Sequence, residues 1–202
     1  MKNVVVIPAR LDSSRFPNKI LLDIHGLPMI EHVRRRALLA KNVDEVYVAT
    51  CDEEIKEVLE KFGAKVIMTS NLHKNGTTRV AEAITSIECS KVILLQGDEP
   101  LILPENLDLI VEKIKYDSDF LAWNATGPIK NEEELNRHSF VKCALFDDRI
   151  LYCFRKSPSF NSFSAQLTYT RKVLGLIAYT KDFLIKISSM PSTPIEECES
   201  IE

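Results

Sequence analysis

A chain of 202 residues with 26 Lys+Arg against 29 Asp+Glu carries a formal net charge of -3, with 45% hydrophobic and 27% charged residues. That much apolar surface offsets the cost of ordering the chain, which excludes intrinsic disorder, and the acidic balance argues against nucleic-acid binding, which needs a basic face. The length suits one domain carrying a small lobe, and no apolar run approaches the roughly 18 residues that insert into a bilayer.

Residues 3–8 (NVVVIP) read as a buried strand; the apolar stretch near the start is too short for a leader peptide and has no small-residue cleavage pattern. Residues 28–40 read as a helix with proline near its first turn, and EVYVAT at 45–50 as a second strand. Asp52 is expected to cap a helix running to about Lys61, with Gly63 as its stop. Residues 64–68 read as a third strand, 78–87 as a helix, 91–95 as a fourth strand, and Pro104 opens a helix ending near Lys115. Strands alternating with helices predict a mostly parallel sheet covered on both faces.

The second half changes character. Residues 120–126 read as a strand, and 140–156 as a hairpin with Asp147 and Asp148 at its turn. Residues 157–170 carry four serines without a period and read as a mobile loop. Residues 173–180 read as a strand, and 193–202 open a helix. The later segment reads as a lobe on the first sheet, so 1–202 is expected to be a single domain.

Cys51, Cys89, Cys143, Cys153 and Cys198 are odd in number and form no C-x-x-C. That disfavours a disulfide framework and a zinc site, and suits a reducing cytoplasm. The histidines at 25, 32, 73 and 138 are scattered, against metal-ligand pairs and triads. Asn75 and Asn124 open chance sequons. Arg34, Arg35 and Arg36 read as the polar face of a helix, and Trp123 as core.

Three loops follow predicted strands at the end where open α/β sheets bind ligands. The first, Pro8 to Lys19, holds Arg10, Arg15 and Lys19 with the hydroxyls of Ser13 and Ser14. Cations and hydroxyls together cradle a polyphosphate, although a solvated loop would also carry such charges. It is neither G-x-G-x-x-G nor a P-loop. The second, Gln96-Gly97-Asp98-Glu99-Pro100, offers Asp98 to Mg²⁺ and Gly97 for close backbone approach; a plain strand-ending turn is the other reading. The third, Asn75-Gly76-Thr77-Thr78-Arg79, precedes a helix and suits an anionic or base-reading contact, though taken alone it reads first as a simple helix cap by Thr77 or Thr78.

In order, Ile7 to Lys19, Gly26 to Ile30, Asn75 to Arg79 and Gln96 to Pro100 read as I-P-A-R-x-x-S-x-R-x-P-x-K, G-x-P-M-I, N-G-T-x-R and Q-G-D-E-P. Four ordered motifs of this kind resemble the 3-deoxy-manno-octulosonate cytidylyltransferase family. Phe140 to Lys142 and Thr193 to Glu196 extend the likeness over nearly the whole chain. The resemblance implies a nucleotidyltransferase (Rossmann-like) α/β fold in three layers. It implies a cytoplasmic homodimer that joins CTP to an acidic sugar and releases pyrophosphate, for lipopolysaccharide or capsule synthesis. Arg10, Arg15 and Lys19 would hold the triphosphate, and Asp98 would hold Mg²⁺. Pro8, Ala9, Ser13, Ser14, Asn75, Gly76, Thr77, Arg79, Gln96, Gly97, Tyr179 and Glu196 would line the substrate site.

Three features depart from the family pattern. Val173 and Ile177 stand where the family has a histidine and a tyrosine near the sugar, while Gly175 and Tyr179 remain. The serine-arginine-proline stretch after the hairpin reads Phe154-Arg-Lys-Ser-Pro158, and the loop beyond lacks the family's tryptophan and acidic residues. The family continues past the position of Glu202 into a segment whose aspartate completes the metal site, so this chain is expected to lack that segment, with Glu99 a poor substitute. The alternatives are CMP transfer to another acid (an amino-sugar analogue, another 2-keto sugar acid or a phosphonate) or a non-catalytic nucleotide-binding protein.

Overall fold

The computed structural model describes residues 2–12, 16–117 and 119–201. Its elements in chain order are β1 (Asn3–Ala9), a 3-10 turn (Lys19–Leu21), β2 (Asp23–Ile24), β3 (Leu27–Pro28), α1 (Met29–Leu38), β4 (Glu45–Thr50), α2 (Glu53–Glu60), β5 (Lys65–Met68), α3 (Gly76–Ala83), β6 (Lys91–Leu95) and α4 (Pro104–Tyr116). There follow β7 (Ala122–Gly127), α5 (Glu132–Asn136), β8 (Lys142–Phe146), β9 (Arg149–Phe154), α6 (Phe163–Gln166), β10 (Thr170–Thr180), α7 (Lys181–Ser188) and α8 (Pro194–Glu199). Two compact units result: Met1–Trp123 with Gly175–Met190, and Asn124–Leu174 with Pro191–Glu202. Among the described residues, no helix is long and apolar enough to cross a membrane.

In the first unit the strands run β5-β4-β1-β6-β10. β1 is parallel to both β4 and β6, β4 is parallel to β5, and residues 176–180 of β10 run antiparallel to β6. Val4, Val5, Val6 and Ile7 have no exposed surface. Successive strand residues point to opposite faces, so a run of four buried residues requires cover on both. One face packs Val4, Val6, Val92 and Leu94 against Val80 and Ala81 of α3 and Leu184 of α7. On the other, α1 lies over β1 and β4 and packs with α4. Burying each such aliphatic side chain contributes about 1.5–3 kcal/mol. Gly63 adopts φ +69, and its N–H bonds the Glu60 carbonyl, so α2 stops there as expected.

Four expectations for this unit change. Arg34 is not on a polar face: it is buried and bidentate to Glu31, which has no exposed surface. Asp52 stands at the start of α2, but its side chain does not cap the helix. Trp123 is only partly buried, with the Lys91 ammonium 5.2 Å from its ring centroid. The α7 helix was not anticipated; its inward residue, Leu184, becomes meaningful only once α3 is there to meet it.

The second unit is built on antiparallel pairing. β8 pairs with β9 and with residues 170–172 of β10. Asp147 and Asp148 have φ 47 and 60, the left-handed pair that a two-residue hairpin turn requires. The 157–170 segment is not featureless. Ser162 caps the short α6, and the buried Gln166 accepts from Ser157 Oγ at 2.6 Å and donates to the Asn161 carbonyl at 2.7 Å. Tyr169 Oη adds a bond to Ser159 Oγ at 2.9 Å. Serines without a period form a local network in which each bond has a side-chain group on at least one side, rather than a backbone ladder.

Lys142 is fully buried here and donates to the carbonyls of Arg137, at 2.9 Å, and of Arg155. Burial, and then the charge of Arg155, pull its pKa below the ordinary 10.5. Between that lowered value and 10.5 the unfolded chain binds the extra proton, so stability rises with pH across the window. Lys142→Met removes the titration and leaves the two carbonyls unpaired at every pH. Urea midpoints of the two proteins should therefore diverge in the wild type's favour as pH climbs from neutral into that window. A difference that stays flat would count against the buried-lysine account.

Candidate functional site

The site lies in the first unit, at the carboxyl ends of β1 and β6. β1 ends at Pro8 and the buried Ala9, paired in register with Ala49 and Thr50 of β4. The exposed Arg10 follows. Ser13, Ser14 and Arg15 lie outside the described residues. The loop returns at Asn18, whose φ of 57 turns the chain into the 3-10 turn that carries Lys19. The backbone N–H of Asn18 bonds the Leu11 carbonyl at 3.1 Å, closing the loop on itself.

β6 ends at Leu95, and Gln96 donates its N–H to the Gly175 carbonyl at 2.9 Å. A methyl group at Gly97 would lie 3.0 Å from the Pro8 carbonyl oxygen and 3.1 Å from Ile20 Cδ1. One at Gly76 would lie 3.0 Å from Pro8 Cγ and 3.6 Å from the Gln96 side-chain nitrogen. One at Gly175 would lie 3.0 Å from Gln96 and from Glu99 Oε1. Three glycines, from three elements, thus let three backbones crowd around Pro8 and Gln96.

Lys19 Nζ donates to Asp98 Oδ2 at 2.6 Å, with both side chains partly exposed. Such a pair contributes little stability, because solvent screens it. Its value is chemical: a cation and a hard carboxylate stand together beside an open strand end. Glu99 is half-buried. Burial first, then the Asp98 charge, push its carboxyl above the usual carboxylate range, while a bond from the Gly175 N–H opposes them.

The other expected residues fall in different surroundings. Asn75, rather than Thr77 or Thr78, caps α3, accepting from Thr78 N at 2.9 Å and Thr78 Oγ1 at 2.8 Å. Thr77 is buried. Arg79 is buried too, and its guanidinium bonds Thr69 Oγ1 at 2.6 Å and the Ser70 carbonyl at 3.3 Å, tying α3 to the loop after β5. Tyr179 packs in the apolar core with Val92 and Leu184. Glu196 belongs to the second unit, where it forms a capping box with Thr193 at the start of α8.

Sequence reasoning missed one residue beside the loop. Asp52 accepts the Leu11 N–H at 2.9 Å across 41 positions of chain. Its place after β4, at the same sheet end, was the available signal.

Residues 4–202 match a family model described as cytidylyltransferase. The chain is 38% identical to the 3-deoxy-manno-octulosonate cytidylyltransferase of Escherichia coli, covering 100% of this chain and 81% of that one. It is 39% identical to the 8-amino-3,8-dideoxy-manno-octulosonate cytidylyltransferase of Shewanella amazonensis, covering 100% and 84%. A solved CMP:2-keto-3-deoxy-manno-octonic acid synthetase complexed with CTP superposes with a TM-score of 0.91 at 38% identity, covering 100% of this chain and 83% of that one.

Proposed function

This chain belongs to the cytidylyltransferase family of nucleotidyltransferase enzymes, and from that premise we propose that it transfers CMP from CTP to 3-deoxy-manno-octulosonate, releasing pyrophosphate. The observation that carries the reading is the convergence of Pro8, Lys19, Gly76, Gln96, Gly97 and Asp98 at one end of the parallel sheet. Three stretches of sequence, far apart in the chain, meet there.

In the reaction, the acceptor's anomeric hydroxyl oxygen forms a bond to the α-phosphorus. The bond from that phosphorus to the oxygen bridging to the β-phosphate breaks, pyrophosphate leaves, and the hydroxyl proton is released. Arg10, Arg15 and Lys19 hold the triphosphate, with Ser13 and Ser14 as neutral donors. Fixed cations at the phosphates stabilise charge that grows on the leaving group without reorganising solvent. Pro8, Ala9, Asn75, Gly76, Thr77, Gln96 and Gly97 line the nucleotide side, and Arg79 keeps the start of α3 in place. Tyr179 and Glu196 remain in the reading on the family resemblance alone.

A divalent metal fits the residues present. Asp98 is a partly exposed oxygen donor already facing a cation, and among the described residues no cluster of three or more His, Cys, Asp or Glu could hold a metal alone. Mg²⁺ is commonly held by one or two carboxylates together with substrate phosphates. Bound through Asp98, it would supply neutralising charge at those phosphates. The reading also carries a single catalytic domain, a cytoplasmic setting and a homodimer; sedimentation velocity tests the dimer.

A second acceptor, the 8-amino analogue, is favoured by the Shewanella relative and by the aliphatic Val173 and Ile177. Pyrophosphate release from CTP and Mg²⁺, measured with each acceptor and with none, decides. Release only with 3-deoxy-manno-octulosonate supports the first reading, and release only with the amino analogue supports the second. No release with either acceptor, in protein that is folded, overturns both.

A further inference from the structure

We infer that Asp52 is a positioning residue for the phosphate-binding loop, its carboxylate clasping the Leu11 amide between the two cations Arg10 and Lys19. The inference rests on the cytidylyltransferase reading of that loop. Asp52 occupies the N-cap position of α2, where a carboxylate ordinarily bonds the helix's own free N–H groups. It makes no such bond. Oδ2 instead accepts the Leu11 N–H at 2.9 Å in a partly buried setting, with Cys51 Sγ 3.8 Å from the same oxygen. The Asp52 backbone is itself held, because its N–H donates to Oγ1 of the fully buried Thr50 at 3.1 Å.

Leu11 is therefore fixed at both backbone groups. Its N–H goes to Asp52, and its carbonyl accepts the Asn18 N–H at 3.1 Å. Arg10 immediately precedes this clasp, and Lys19 immediately follows its far side. A charge-assisted bond to an amide is stronger than a neutral one, and it uses the carboxylate's charge locally. An unengaged Asp52 beside a triphosphate would instead repel it. The price of a helix cap is thus exchanged for order in the loop that receives the phosphates.

Asp52→Asn keeps an acceptor oxygen and loses the charge, whereas Asp52→Ala loses both. The amide exchange of Leu11 in nucleotide-free protein reads the clasp directly, and KM for CTP reads its consequence. Asp52→Ala should raise both the Leu11 exchange rate and KM for CTP about tenfold, the cost of one such bond, with kcat and melting temperature changing far less. Asp52→Asn should restore most of both. Unchanged exchange and KM in Asp52→Ala would overturn the inference, as would equal impairment in Asp52→Asn, since the acceptor would then not be what matters. A wild-type protein without turnover would overturn the cytidylyltransferase reading instead, and the exchange rates would still decide the clasp.

Discussion

Asp98→Ala is expected to lower kcat for pyrophosphate release by two to three orders of magnitude, the usual cost of removing one group that stabilises charge in the transition state. Two effects oppose each other at this position. In the proposed reaction the carboxylate would hold the metal, which favours turnover. It also pairs with Lys19 at 2.6 Å, which occupies a cation the triphosphate would otherwise use. Deleting Asp98 therefore frees the Lys19 ammonium. CTP binding without metal should stay the same or tighten, while turnover with Mg²⁺ collapses. The split between affinity and rate is the diagnostic, because a mutation that merely disordered the loop would weaken both. Lys19→Met is the complementary case: it should weaken CTP binding with or without metal. Single-turnover kinetics and a CTP titration measure the two quantities separately. Turnover of Asp98→Ala within tenfold of wild type would remove the metal-holding role.

Glu31→Ala is expected to destabilise the protein by about 3–5 kcal/mol, because it strands a buried charge. Glu31 has no exposed surface, and its carboxylate accepts from Arg34 Nε at 2.7 Å, a second Arg34 nitrogen at 2.9 Å and Arg35 Nε at 2.7 Å. Arg34 is also buried, and beyond Glu31 it reaches the Phe62 carbonyl at 3.0 Å. Without the carboxylate, that single carbonyl would face a desolvated guanidinium. Replacing both Glu31 and Arg34 with methionine should cost much less than the single change, since apolar side chains of similar volume substitute well for a buried pair. By contrast, the Lys56–Glu53 pair on α2 is largely solvated and its loss should scarcely register. Urea denaturation of the single and double variants closes the cycle. If Glu31→Ala and the double variant lose the same stability, the stranded-charge account fails.

Some of the fold can be read along the chain because its physics is local. Val4 to Ile7 form an apolar run that only a strand buried on both faces explains. Gly63, the turn at Asp147 and Asp148, and the proline at the start of α4 are backbone signals that work over a few residues. The four ordered motifs were legible too, because each joins unusual residue types at fixed spacing. The loops bearing Lys19, Asp98 and Gly76 were assigned to one sheet end because each follows a predicted strand, and the close approach of Gly76 and Gly97 to Pro8 agrees with it.

Other features depend on neighbours distant in sequence. Arg34 looked solvated because nothing near it in the chain announces that α4 and Phe62 would close over its helix. Asp52 looked like a helix cap because its true partner lies 41 residues earlier. Arg79 looked free to meet a ligand until the loop after β5 took up its guanidinium. By itself the sequence determined the alternation of elements, the hairpin and the family motifs, since propensity, periodicity and turn chemistry act within a few residues. Only the tertiary structure decided which charged side chains stay exposed at the sheet end and which are spent inside the protein, because a polar group's partner is chosen by burial and distance in space.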